Sequence, residues 1–486
     1  MNKADIGLIG LAVMGENLCL NFESKGFSVA VFNRRSEIME RFIEGRGKGK
    51  NFIGCTTLKE LVDSLKTPRK IMLMIKAGDP VDLMIDQLLP YLEAGDIIID
   101  GGNSNFHDTT RRVKTVEKHG FLYVGAGVSG GEEGALKGPS IMPGGSFDAW
   151  DCIKEMFFAV AAQTEEGTPC CSWIGGDGSG HFVKTIHNGI EYGDMQLICE
   201  IYHIMREHLA MSALEMHEVF KEWNQSELES YLIEITRDIL AFKDNDGTPL
   251  VDKILDVAGQ KGTGKWTLTA SLDQGVPLTL IGEAVWARLL SAMKDERVRA
   301  SKVLGGFISK FSGTNEERKT LIEDLKNALF AAKIISYAQG FMLIQSASKT
   351  YHWNIDCGEV ALVWRGGCII RSAFLTNIKE AFVTDPHLEN LLLDPFFKEI
   401  LEKTEKSLRR VCSVAILSGI PTPAISSALA YFDGYRCENL PSNLLQAQRD
   451  YFGAHTYQRI DKPCGEFFHT NWTGTGGDTS AGTYTV

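Results

Sequence analysis

The sequence predicts three parts: a doubly wound α/β domain over residues 1–177, a large all-α domain with a duplicated helical unit over 178–437, and a C-terminal tail over 438–486. Three observations predict this. Short apolar runs alternate with helical segments as far as residue 150, and a Gly-rich turn follows the first of those runs. From Gly178 to about Tyr435 the apolar spacing is helical almost throughout. At 486 residues the chain also exceeds a single compact core.

The apolar runs Ile6–Ile9, Val29–Phe32, Ile71–Ile75, Ile97–Ile99 and Phe121–Val124, separated by helical segments or turns, are expected to be strands of a parallel doubly wound sheet. The first runs into Gly10-Leu-Ala12-Val13-Met14-Gly15-Glu-Asn, a G-x-A-x-x-G variant of the dinucleotide fingerprint. Gly10 permits the tight turn, Ala12 lets a pyrophosphate approach, and Gly15 allows the following helix to pack on its strand. Such turns are common after strands, but one opening a βαβ unit at the chain start makes the domain Rossmann-like. Gly10, Ala12, Val13, Met14 and Gly15 are its expected coenzyme turn.

The second run ends at Asn33-Arg34-Arg35-Ser36, where an NAD-preferring site has Asp or Glu for the ribose hydroxyls. Two guanidiniums suit a 2′-phosphate instead, so NADP is the expected coenzyme. The alternative, two arginines opening a helix towards solvent, is unfavourable against the helix dipole. Three polar loops then fall at expected C-terminal strand ends: Met74–Gly78 with Lys76, Asp100–Ser104 with Asn103, and Val128–Gly134 with Ser129, Gly130 and Gly131. Each could be a plain turn, whereas their convergence on one sheet edge favours a ligand site.

In the all-α part, Lys184, His187, Asn188 and Glu191 stand at i, i+3, i+4 and i+7, with Tyr192 bordering that helical face. Helical rise alone puts the Lys and Glu heads about 10 Å apart. A lone i, i+7 pair is usually a solvated charge pair, but the chain supplies a control. Gly193-Asp-Met195-Gln-Leu197 is echoed by Gly340-Phe-Met342-Leu-Ile344, and Glu218–Trp223 by Glu359–Trp364, which suggests a duplicated unit. In that register the four polar residues match Ala331, Ile334, Ile335 and Ala338, so the face packs against something and its polar set implies a ligand cavity.

The loop Gly259-Gln-Lys261-Gly-Thr263-Gly264-Lys265-Trp266 matches G-x-x-x-x-G-K but has Trp where a P-loop needs Ser or Thr, and Val251–Val257 before it reads as helix rather than strand. A triphosphatase or kinase is therefore disfavoured, although the cations still suit a phosphate. Arg288 is a second candidate cation on a helix. In the tail, Gln446–Thr456 is dense in hydrogen-bonding groups, whereas the Gly- and Thr-rich 471–482 stretch cannot build a core; Trp472, Phe467 and Phe468 nonetheless argue for docking, with a second subunit as one destination.

A net charge of −12 argues against nonspecific nucleic-acid or acidic-membrane binding. The eleven scattered cysteines contain no CxxC pair and fit reduced thiols in a cytoplasmic compartment. No apolar run reads as a signal peptide or a membrane span, and no metal-ligand spacing is found.

Taken together, these residues resemble the 6-phosphogluconate dehydrogenase family over the whole chain. The resemblance is carried by Ile-Gly10-Leu-Ala-Val-Met-Gly15-Glu-Asn, Ile-Asp100-Gly-Gly-Asn103-Ser, Gly127-Val-Ser129-Gly-Gly and Gly138-Pro-Ser-Ile-Met-Pro-Gly-Gly145. It continues through Lys184-Thr-Ile-His-Asn-Gly-Ile-Glu191-Tyr, Lys261-Gly-Thr-Gly-Lys-Trp266 and Arg449-Asp-Tyr-Phe-Gly-Ala-His455. It implies NADP-dependent oxidative decarboxylation of 6-phosphogluconate to ribulose 5-phosphate and CO2, in the oxidative branch of the pentose phosphate pathway. By motif, Lys184 is the implied general base and Glu191 the general acid. Asn103, Ser129, Gly130, Gly131, His187 and Asn188 would hold the sugar acid. Tyr192, Lys261, Thr263 and Arg288 would bind its phosphate, joined by Arg449 and His455 from the partner of a tail-exchanging homodimer. Asn33, Arg34 and Lys76 map to coenzyme contacts, and Arg35 and Asn103 are expected beside them, although Arg35 departs from the family, where many members have Thr. Two alternatives share part of this pattern. Another β-hydroxyacid dehydrogenase would not need the phosphate cations or the Arg449–His455 segment, and a non-catalytic sugar-phosphate-binding protein would not need the Lys–Glu pair.

Overall fold

The computed structural model describes residues 3–476 and 479–481 and divides into two compact units, one up to Ala428 and one from Leu429, the division falling inside the helix Pro423–Tyr435. The tail residues 477–478 and 482–486 lie outside the described residues.

The first unit begins with a seven-stranded sheet. Its strands are β1 (Ile6–Ile9), β2 (Val29–Phe32), β3 (Phe52–Cys55), β4 (Lys70–Leu73), β5 (Ile97–Asp100), β6 (Leu122–Ser129) and β7 (Ser140–Gly145). They lie in the order β3-β2-β1-β4-β5-β6-β7, all parallel except the edge pair β6/β7. The five expected strands are present, four with small shifts at most, whereas β6 runs five residues past its expected end and takes in Val128 and Ser129, which were expected in a loop. The sheet is not wholly parallel, and β3 and β7 were not foreseen. Strand period sorts the side chains onto two covered faces: Ile6, Leu8, Val29, Val31, Met72, Ile97 and Ile99 pack in one core, and Ile9, Ala30, Ile71, Leu73 and Ile98 in the other. This double burial explains the unbroken apolar runs.

Beyond the sheet the first unit is helical. The helix Ser179–His203 lies directly on β6 and β7, and the 37-residue helix Asn315–Tyr351 crosses it. At the crossing, a Cβ on Gly193 would come 2.5 Å from Ser336 Oγ, and one on Gly340 would come 2.6 Å from Ile190 Cδ1. The two echoed Gly positions thus sit where the two helices touch. Asn315–Tyr351 is long and apolar enough to cross a bilayer, contrary to the expectation that no run approaches that length. However, 89% of its apolar window is buried in the protein, so neighbouring helices rather than lipid cover it. The segment Val251–Val257 is not a helix either: a single 3-10 turn, Leu250–Lys253, is followed by irregular chain.

In the second unit, helix Ser442–Gly453 is followed by the two-stranded pair Tyr457–Gln458 and Phe467–Phe468. Buried Asp450 gathers the tail by accepting from His469 Nδ1 at 2.8 Å, Thr470 N at 2.9 Å and Trp472 Nε1 at 2.8 Å. Trp472 is therefore docked on its own unit.

Candidate active site

The coenzyme end of the site follows from how β1 ends. Gly10 has φ +106, and a Cβ there would lie 2.4 Å from Met74 O, so only glycine makes this turn beside β4. A Cβ on Gly15 would lie 1.9 Å from Gly10 O, which fixes how closely the helix Val13–Ser24 approaches the turn. Ala12 is the extended N-cap of that helix and contributes no side-chain cap, leaving the helix N–H groups for an anion. Val13 is exposed at the helix start, and Met14 packs inward on the core.

Asn33 ties this turn to the next strand end. Its Oδ1 accepts from Leu11 N at 3.1 Å, and its Nδ2 donates to Arg35 O at 3.1 Å. A cleft of about 610 Å³ opens at the switch point between β1 and β4, lined by Gly10, Ala12, Asn33, Arg34, Arg35 and Lys76 among others. Arg34, Arg35 and Lys76 are exposed and have no ion-pair partner among the described residues. Three unneutralised cations around a glycine turn too tight for any Cβ fit a dinucleotide with an extra phosphate. The nicotinamide coenzyme would supply a hydride acceptor here.

Next along the sheet edge, buried Asp100 shapes the loop after β5. It accepts from Ser104 Oγ at 2.5 Å, Gly102 N at 3.0 Å and Tyr123 OH at 3.2 Å, leaving Asn103 exposed at the tip. At the end of β6, Ser129 Oγ lies 3.2 Å from His187 Nε2, while Gly130 and Gly131 turn the chain with positive φ.

The Lys–Glu row lies beside these loops. Lys184 is on helix Ser179–His203, and a Cβ on Gly127 of β6 would stand 2.4 Å from Lys184 Cβ, so the helix rests on bare backbone. Lys184 Nζ donates to Asn188 Oδ1 at 2.8 Å and lies 3.4 Å from His187 Nδ1. His187 Nδ1 is in turn 3.9 Å from Glu191 Oε2. The imidazole therefore bridges the two heads, which lie closer than helical rise alone gives. Burial pulls the Lys184 amine below its ordinary pKa, the Glu191 charge opposing only in part. Burial likewise pushes the Glu191 carboxyl up, against Lys184 and Arg288. His187 is held neutral by burial and by the Lys184 charge beside it. With Nδ1 donating to Asn188 Oδ1 at 3.1 Å, its Nε2 can accept from Ser129. The row thus holds an amine biased to be a base and a carboxyl biased to be an acid.

Tyr192 is buried, and the Arg288 guanidinium stacks 3.4 Å above its ring, so Arg288 is fixed by a cation–π contact rather than splayed in solvent. Arg288 Nη1 also donates to Gly259 O at 3.4 Å, reaching the Gly259–Trp266 loop. Within that loop Gly262 is left-handed, Thr263 is buried at the start of helix Thr263–Asp273, and Lys261 is exposed without an ion-pair partner among the described residues. No strand leads into it, so it is not a P-loop.

Arg449 and His455 belong to the second unit. Arg449 Nη1 donates to Gln446 Oε1 at 3.1 Å, and Gln446 Nε2 donates to the carbonyls of His455 and Thr456. His455 Nδ1 is buried there without a hydrogen-bond partner.

Sequence reasoning missed the loop after Trp364. A Cβ on Gly130 would lie 2.6 Å from Gly367 O, the Trp364 ring sits 5.7 Å from the His187 ring, and the Cys368 thiol lies close enough to feel the Lys184 charge. Its signal was present in Arg365-Gly366-Gly367, a Gly pair like Gly101-Gly102 and Gly130-Gly131 in two of the loops singled out. All eleven cysteines are free thiols, and no group of three His, Cys, Asp or Glu among the described residues could hold a metal.

Fold and site together define a nicotinamide-coenzyme oxidoreductase, with a Rossmann-like domain whose C-terminal edge faces a lysine–carboxyl row on a following helical domain. Comparison with known proteins makes this specific. Residues 5–175 match the family model for the NAD binding domain of 6-phosphogluconate dehydrogenase, and residues 180–472 match that for its C-terminal domain. The chain is 58% identical over 482 residues to the decarboxylating 6-phosphogluconate dehydrogenase of Cunninghamella elegans, covering 99% of each. It is 56% identical over 484 residues to the human one, covering 100% of each. The solved 6-phosphogluconate dehydrogenase of Plasmodium falciparum, described in apo form and in complexes with its cofactor NADP+ and its substrate 6-phosphogluconate, superposes with a TM-score of 0.92 at 46% identity, over 96% of this chain and 100% of that one. The chain belongs to the 6-phosphogluconate dehydrogenase family.

Proposed function

We propose that the chain catalyses the NADP-dependent oxidative decarboxylation of 6-phospho-D-gluconate to D-ribulose 5-phosphate and CO2, with Lys184 as general base and Glu191 as general acid. The observation that carries the assignment of roles is the row itself, buried at Lys184 and His187 and partly buried at Glu191. Lys184 and Glu191 flank the neutral His187, with the amine pulled down in pKa and the carboxyl pushed up.

Lys184 Nζ takes the C3 hydroxyl proton as the C3 hydride departs to the coenzyme. Asn188 Oδ1 holds the amine on one side, keeping its lone pair for the substrate. The β-keto acid so formed loses CO2 when its carbonyl is polarised, which the protonated Lys184 does by donating to it. Glu191 then protonates C1 of the enediol, giving the ketose. His187, Asn188, Ser129, Gly130, Gly131 and Asn103 surround the sugar acid. Arg288 with Tyr192, Lys261 and Thr263 receive its phosphate. Gly10, Ala12, Val13, Met14 and Gly15 would cradle the coenzyme pyrophosphate, with Arg34 and Arg35 on its 2′-phosphate and Lys76 and Asn103 beside it.

A homodimer with exchanged tails gives Arg449 and His455 a phosphate to bind in the neighbouring subunit. Supporting this are an unpartnered buried His455 Nδ1 and an apolar cleft of about 430 Å³ lined by Leu444, Tyr451, Phe452 and Trp472. Free thiols throughout suit a reducing cytoplasm. The test is NADPH formation with 6-phosphogluconate by wild type and by Lys184→Met. The assigned role requires turnover in the first and none in the second.

A further inference from the structure

A second ionic group, unused by the chemistry above, lies one turn beyond Glu191. Asp194, on the same helix, is fully buried and accepts from Lys333 Nζ of helix Asn315–Tyr351 at 2.5 Å, Lys333 having no exposed surface at all. Tyr337, one turn along that helix from Lys333, places its hydroxyl 3.3 Å from the same Asp194 oxygen and donates to Ile370 O at 2.7 Å. Ser372 Oγ is 3.3 Å from it. A buried pair of this kind is weak evidence for stability, because apolar residues of equal volume commonly serve as well or better. Such a pair does fix register, since shifting either helix would leave a charge unpaired out of water.

The register it fixes reaches the site from both ends. Asp194 is three residues from Glu191 and bears on its ionisation. At the other end, Ile370 and Ser372 terminate the loop whose Gly367 O accepts from Ser140 N at 2.8 Å and touches Gly130, and whose Trp364 ring faces His187. Tyr337 OH thus joins the two: its proton goes to the loop at Ile370 O, and its oxygen stands against the ion pair, 3.3 Å from Asp194 Oδ2.

We propose that Asp194, Lys333 and Tyr337 are positioning residues that lock the Lys184–Glu191 row in register with the Trp364–Ser372 loop, and through it with Ser129–Gly131, so setting the width of the sugar-acid site. The inference rests on the site assignment above.

Tyr337→Phe tests it with the least disturbance, since the ring keeps its edge contact to Phe374 at 4.8 Å and only the hydroxyl is lost. The KM for 6-phosphogluconate should rise on the order of tenfold while the KM for NADP stays within about twofold and Tm falls by only a few degrees. The charge-neutral double variant Asp194→Asn, Lys333→Met should fold and show the same selective rise in KM. A 6-phosphogluconate KM unchanged in the folded protein, for Tyr337→Phe or for the double variant, overturns the proposal whatever happens to Tm. Lys184→Met, run in parallel, separates the two ideas: turnover retained there refutes the site assignment, whereas turnover lost there with Tyr337→Phe behaving as wild type refutes only the positioning role.

Discussion

Gly127 and Lys184 are in direct register: a methyl group on the first would sit 2.4 Å from the Cβ of the second. The placement of the amine is thus set by the absence of a side chain on the neighbouring strand. Gly127→Ala should push the helix off β6 and misplace Nζ by a fraction of an ångström or more. Misplacement on that scale costs on the order of 10²-fold in rate. We expect kcat to fall by that order with NADP affinity unchanged, measured by steady-state kinetics and coenzyme titration.

Lys184→Met keeps most of the length and the apolar stem of the side chain while removing the proposed base. Hydride transfer should fall by at least about 10³-fold, within the range general bases supply. NADP affinity, measured by fluorescence titration, should stay near the wild-type value, because the coenzyme cleft lies between β1, β2 and β4.

Glu191→Ala removes the proposed acid but none of the groups proposed for the phosphate. Turnover to the ketose should be lost while calorimetry still detects 6-phosphogluconate binding. Under the proposed roles, the productive state of the wild type pairs neutral Lys184 with protonated Glu191. Burial lowers the first pKa and raises the second, so activity should fail on the acid side by protonation of Lys184 and on the alkaline side by ionisation of Glu191. Ketose formation at the wild-type rate in Glu191→Ala would contradict this.

Arg34 lines the coenzyme cleft with no ion-pair partner among the described residues. Arg34→Ala should weaken NADP by about 1.5–3 kcal/mol, the worth of a hydrogen bond to a charged group, and leave NAD almost unaffected. Equal losses for both coenzymes would place the 2′-phosphate elsewhere.

Glu200 gives a prediction about stability. Its carboxylate accepts from Ala424 N and Ile425 N at 2.9 Å each, capping the helix Pro423–Tyr435, and Gln196 Nε2 donates to it at 2.9 Å. Burial nevertheless outweighs these bonds and raises its pKa from 4.5 to about 7. A folded-state pKa above the unfolded one means that the protonated form stabilises the fold. That contribution is complete below about pH 4.5 and lost as pH rises through 7, amounting to at most about 3 kcal/mol. Wild-type Tm should therefore decline more steeply than that of Glu200→Gln between about pH 5 and 8.

The strands β1 and β2 could be read to the residue because both faces are buried and every position is apolar. By contrast, β7 was hidden: Ser-Ile-Met-Pro-Gly-Gly has the composition of a turn, and it becomes a strand by pairing antiparallel to β6 at the sheet edge, where proline is tolerated. The Lys184 row was legible because helical spacing alone aligns it. What sequence could not show is that His187 would close the gap between the two heads, since that depends on side-chain rotamers. The Asp194–Lys333 pair was equally hidden, because its partners stand 139 residues apart and meet only when two helices cross.

Asn33 binds the glycine turn to the arginine loop through both ends of one amide, so the position of each is tied to the other. For anyone wishing to redesign coenzyme choice, this separates two jobs that usually interfere. If Arg34 and Arg35 hold the 2′-phosphate as proposed, they are the positions to exchange, with Asn33 kept as the bracket that aims them.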